Sequence, residues 1–95
     1  MLINDFEYEV KTWRDVFEKT CDYLLEYSPE LMDNIDQVYP YYFSRTQNDI
    51  SSRRQLRNGM YFNVGLSSKG IISICYRLLE KAGIEKEDWI IQSEQ

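Results

Sequence analysis

Apolar positions change their spacing several times along this chain, and each change marks an element. Met60, Phe62, Val64 and Leu66 alternate with Tyr61, Asn63 and Gly65, the period-two pattern of a strand with one buried face. Asn58-Gly59 ahead of it is a turn pair, because both residues tolerate positive φ at little cost. Beyond it, Ile71, Ile74, Cys75, Leu78, Leu79 and Ala82 recur at three- and four-residue spacing and form one helical stripe. Ser67 or Ser68 offers the side-chain oxygen that caps such a helix. Gly83 suits the left-handed position just past its end, and Ile84 suits the hydrophobic contact that accompanies that cap.

The N-terminal half follows the same grammar. Leu2-Ile3, an Asn4-Asp5 turn, and Phe6, Tyr8 and Val10 alternating with Glu7 and Glu9 predict an edge element over Leu2 to Val10. Outward glutamates at an edge also discourage sheet-to-sheet association. Thr12 then caps a helix, with Asp15 three residues on in capping-box register. Trp13, Val16, Phe17, Cys21, Leu24 and Leu25 form its apolar stripe, while Arg14, Glu18, Lys19, Asp22 and Glu26 face water. Ser28-Pro29-Glu30 starts a short helix, with Pro at its first position and an acid in its first turn. It buries Leu31, Met32 and Ile35 and ends between Asp36 and Val38. Tyr41 to Ser44 predicts a short strand. Arg45 to Arg57 shows neither period and reads as a long loop, of the kind that is often functional or mobile. Glu85 to Asp88 is a solvated turn, Trp89 to Ile91 a last short strand, and Ser93 to Gln95 a frayed end.

The order is therefore strand, helix, short helix, strand, loop, strand, helix, strand. Two long helices each need a surface for one apolar stripe, and a small sheet supplies it. The expected fold is α+β: one domain over residues 1–95, a two-layer sandwich. Its small, mainly antiparallel sheet has three to four short strands, with two longer helices and one short helix packed on one face.

Composition narrows the classes of function. No apolar run approaches a membrane span and no signal-peptide layout opens the chain, so a cytoplasmic protein is expected. The chain has no His and only two cysteines, Cys21 and Cys75, both on helical stripes. That removes the commonest general base and metal ligand, and no cofactor or metal is expected. A serine nucleophile would need Lys or a carboxylate as its base, so the reading is of a non-enzyme. The net charge of −5 is unevenly distributed: −7 over Met1 to Phe43, +5 over Ser44 to Lys81 and −3 beyond.

Three constellations carry candidate chemistry. Arg45, Arg53, Arg54 and Arg57 place four guanidinium forks in one loop, suited to phosphate or to an acidic protein surface. Tyr41 and Tyr42 stand just before them, with Tyr39, and stacking beside positive charge is how single strands are bound. The alternative is that the arginines pair with the acidic N-terminal half and that the tyrosines belong to the core. Second, Ser67, Ser68 and Lys69 open a helix whose free N–H groups can hold an anion, although the spacing is not that of a phosphate-binding loop. Third, Glu7, Glu9, Glu18, Asp22, Glu26, Glu30, Asp33 and Asp36 form either a negative face that imitates a nucleic-acid backbone or simply solvated helix faces.

Tyr8-Glu9-Val10-Lys11-Thr12-Trp13, Tyr42-Phe43-Ser44-Arg45 and Tyr61-Phe62-Asn63-Val64-Gly65-Leu66-Ser67-Ser68 together resemble a small module that recurs at the C-terminal ends of bacterial proteins, some of them associated with restriction and phage defence. The resemblance implies an accessory or recognition role and transfers no active-site residue. The function it suggests is a binding module that docks on a protein or nucleoprotein complex in bacterial defence or counter-defence. One such role is inhibition of a defence nuclease of CRISPR or restriction type. The alternative is a nucleic-acid-binding accessory domain that works through the arginine loop.

Overall fold

A computed structural model describes residues 1–46 and 53–91. The middle of the arginine loop, with its expected mobility, and the expected fraying of Ser93 to Gln95 lie outside the described residues. The chain is α+β. Its elements are β1 (Leu2–Ile3), β2 (Phe6–Glu7), α1 (Trp13–Tyr27), α2 (Pro29–Asp33), α3 (Ile35–Val38), β3 (Phe43–Ser44), β4 (Arg53–Gln55), β5 (Tyr61–Asn63), α4 (Ser68–Lys81), a single 3-10 turn (Lys86–Asp88) and β6 (Trp89–Ile90). The strands form two antiparallel three-stranded sheets, ordered β2-β1-β6 and β3-β5-β4, where one small sheet was expected to serve the helices.

Local signals form the elements as expected. Asn4 and Asp5 both take positive φ, 48° and 71°, and turn β1 back onto β2 as a two-residue hairpin. Thr12 Oγ1 accepts from the Asp15 N–H at 3.1 Å, and Asp15 Oδ2 accepts from the Thr12 N–H at 3.2 Å, a complete capping box. Ser67 Oγ accepts from the Gly70 N–H at 3.1 Å and caps α4. At the other end of α4, the Ile84 N–H reaches Leu79 O at 2.9 Å and the Gly83 N–H reaches Glu80 O at 3.1 Å. Gly83 has φ +78° and Ile84 is buried, so every part of the C-terminal cap is present.

Three expectations are corrected. The short helix breaks at Asn34 into α2 and α3, because the Asn34 N–H turns back to Leu31 O and Met32 O. Tyr41 lies in a turn, and the strand there begins at Phe43. Part of the arginine loop is itself a strand: β4 pairs with β5 in the register Arg53 to Asn63, Arg54 to Phe62 and Gln55 to Tyr61. Leu56 and Met60 close this hairpin through Leu56 N–H to Met60 O at 2.7 Å, and Gly59 takes φ +90° between them. The Asn58-Gly59 turn thus joins two strands.

One helix serves both sheets. Phe17 of α1 meets Phe43 of β3 and Phe62 of β5 edge-on, at centroid distances of 5.8 and 5.1 Å. One turn further along, Thr20 accepts a hydrogen bond from Trp89 Nε1 of β6 at 3.1 Å. Helix α4 packs beside α1 and contributes Ile71, Ile74, Cys75, Leu78 and Leu79 to the same continuous core.

Candidate functional site

The arginines expected to reach outward are turned back onto their own chain. Arg54 Nη1 lies 2.8 Å from Glu18 Oε1 and 3.3 Å from Asp15 Oδ1, so β4 is tied to the first turns of α1. Arg57 Nη2 donates to Asp22 O at 3.0 Å and lies 3.8 Å from Glu26 Oε2. Arg45 Nε lies 3.3 Å from Asp36 Oδ2, and its Nη2 donates to Asp33 O. Arg53 is exposed on β4. The basic segment therefore pairs with Glu18, Glu26 and Asp36, carboxylates that sequence reading placed in water or on a negative face, and with Asp15 of the capping box.

The other candidate residues lie apart. Tyr41 is 68 % exposed and packs edge-on against Tyr42 at 5.1 Å, with Tyr39 beyond at 6.4 Å. Ser67, Ser68 and Lys69 are exposed at the start of α4, where the Ser67 hydroxyl is engaged by the cap. Both cysteines are free and buried. Burial pushes the Cys75 thiol up to about 12, against a smaller opposing effect of the Thr20 hydroxyl. Burial also raises the Cys21 thiol well above its ordinary value, so neither presents a thiolate. Among the described residues, no three His, Cys, Asp or Glu side chains gather as metal ligands, and no helix is long and apolar enough to cross a membrane.

A different surface stands out, on the segment Phe6 to Val10. Phe6 is 61 % exposed and Tyr27 is 50 % exposed. Between them lies Tyr23, 5.7 Å from Phe6, 5.4 Å from Tyr27 and 6.5 Å from Tyr8 by ring centroid. The Tyr23 hydroxyl accepts from Asn4 Nδ2 at 2.9 Å, which holds the row against the hairpin. Burial raises the Tyr8 phenol, Glu26, Tyr23 and Asp22 raise it further, and Arg57 opposes them. Glu7 and Glu9, with Tyr8 and Val10, also line an open groove of about 1190 Å³ that reaches Trp13, Tyr76 and Trp89. Trp13, expected in the buried stripe of α1, is 39 % exposed there, because it occupies the first position of the helix, beyond the core.

Sequence reading missed this surface as a site. It treated Phe6 and Tyr8 as an ordinary edge and counted Glu7 and Glu9 only in a broader negative face, and the partners that complete the aromatic row, Tyr23 and Tyr27, come from a helix that periodicity cannot place beside it. The fold and this face define a small α+β domain with an aromatic, acidic edge. Comparison with protein-family models, with curated proteins and with solved structures finds no match.

Proposed function

We propose that this chain is a non-enzymatic binding module that docks on another protein, in the bacterial defence or counter-defence setting that its sequence resemblance suggests. The observation that carries this reading is the open edge at Phe6 to Val10, where exposed aromatic rings stand beside carboxylates of Glu7 and Glu9 that no arginine among the described residues neutralises. Aromatic side chains supply large contact area at low entropic cost and are enriched where proteins meet. Two further features support it: both thiols are buried and protonated, and the Ser67 hydroxyl is held by its cap. The nucleic-acid alternative would require Arg45, Arg54 and Arg57 to leave their carboxylate and carbonyl partners.

Affinity capture from a bacterial host tests the docking role. The chain should retain a stoichiometric protein partner, and Phe6→Ser combined with Tyr27→Ser should lose it while keeping the native circular dichroism spectrum. Equal capture by the double variant would remove this face from the interaction, and no partner under any salt condition would sink the docking role itself.

A further inference from the structure

The edge also indicates what kind of chain fits it. In the sheet ordered β2-β1-β6, β2 is an outer strand. Tyr8 exchanges backbone hydrogen bonds with Met1, Tyr8 N–H to Met1 O at 2.8 Å and the Met1 amine to Tyr8 O at 3.0 Å. Strand alternation then points the N–H and C=O groups of Glu7 and Glu9 away from the sheet. Among the described residues these outward groups have no backbone partner, and neither glutamate has an ion-pair partner. The edge ends at Lys11, whose N–H donates to Asp15 Oδ2 at 3.0 Å as the chain turns into α1.

Resting on the docking reading above, we propose that β2 and its continuation to Val10 accept an extended segment of the partner protein as an added strand, and that this segment alternates basic and apolar side chains. Its main-chain groups would meet those of Glu7 and Glu9. Its Lys or Arg side chains would lie beside the two carboxylates, and its apolar side chains would lie on the face of Phe6 and Tyr8. Addition of a strand to an open sheet edge is an established mode of peptide recognition, in which backbone bonds give affinity and alternate side chains give specificity. Charge selects the occupant. A second copy of this edge would set glutamate against glutamate, which is unfavourable directly across a strand pair, and a phosphate backbone would meet the same repulsion.

The test uses the ¹⁵N-labelled chain and three synthetic peptides of about ten residues, a long strand's length: alternating Lys and Val, alternating Glu and Val, and the Lys/Val peptide N-methylated at every second residue. The Lys/Val peptide should shift the resonances of Phe6 to Val10 and slow hydrogen exchange at the Glu7 and Glu9 amides. The Glu/Val and N-methylated peptides should not bind, and E7K combined with E9K should weaken Lys/Val binding about tenfold. Binding that survives N-methylation, shifts confined to other residues, no Lys/Val binding, or dimerisation of the chain through this edge would each overturn the proposal. The two readings fail separately. A host protein captured equally by wild type and by the E7K/E9K variant leaves the docking module standing and overturns the edge as its site.

Discussion

Thr20 is a polar side chain in an apolar core, and its geometry explains why it is there. Its Oγ1 accepts from Trp89 Nε1 and donates to Val16 O at 2.7 Å, so a fully buried hydroxyl satisfies both itself and a buried indole. An unpaired buried donor costs roughly 1–3 kcal/mol. Thr20→Val keeps the shape, deletes the acceptor and orphans the Trp89 N–H. It should therefore lower the unfolding free energy by about 1–3 kcal/mol in a urea titration, although the change makes the core more hydrophobic. Asp22, on the same helix, shows the opposite balance. Burial raises its carboxyl, with Lys19 and Arg57 opposing, so its charge is a liability at neutral pH that is relieved as pH falls.

At the scale of the element, Asp15 does two tasks for α1. It completes the capping box, and it accepts from Arg54 of β4. The Lys11 N–H holds its carboxyl below the ordinary 3.8, against an opposing push from burial, and Arg54 and the Thr12 N–H add to the depression. A depressed folded-state value means that the stabilisation is whole above 3.8 and is lost as pH falls through the lower folded value. Asp15→Ala should cost about 1 kcal/mol near neutral pH. In matched denaturant titrations, the gap between variant and wild type should close below pH 3.8; a gap that stays constant would mean that the contribution is packing alone.

The same element shows what was legible beforehand. The Thr12–Asp15 box, the Asn4-Asp5 turn, the Ser67 cap and the Gly83–Ile84 ending were readable because each is completed within a few residues. The strand Arg53–Gln55 was not. An exposed polar edge strand has little hydrophobic alternation to display, and what fixes β4 is backbone pairing to β5, the Leu56 anchor and the Arg54 bridge to α1. The aromatic, acidic edge was hidden for a related reason: Phe6 and Glu7 were visible as edge residues, but Tyr23 and Tyr27 join Phe6 only through tertiary packing.

Across the whole molecule, charge is sorted by folding. Arg45, Arg54 and Arg57 of the positive middle lie against carboxylates of α1 and α3, and Glu7 and Glu9 are exposed. Nucleic-acid affinity driven by phosphate contacts falls steeply with salt, and Arg45, Arg54 and Arg57, invoked for it, are already paired. Fluorescence anisotropy with single- and double-stranded oligonucleotides should therefore show no saturable, salt-sensitive binding. A steep negative salt slope that Arg45→Ala combined with Arg57→Ala flattens would restore the nucleic-acid alternative.

The pairing of β1 with β6 carries a consequence for synthesis. Leu2 stands opposite Ile90, and Ile3 opposite Trp89, so the hairpin made first acquires its second flank only when residue 89 exists. Sheet β3-β5-β4 draws on a single stretch from Phe43 to Asn63, all of it synthesised earlier. Until the ribosome has delivered Trp89, the Thr20 hydroxyl lacks its indole and the N-terminal hairpin lacks one side. Residue 89 thus closes two contacts at once, the second flank of β1 and the indole held by Thr20.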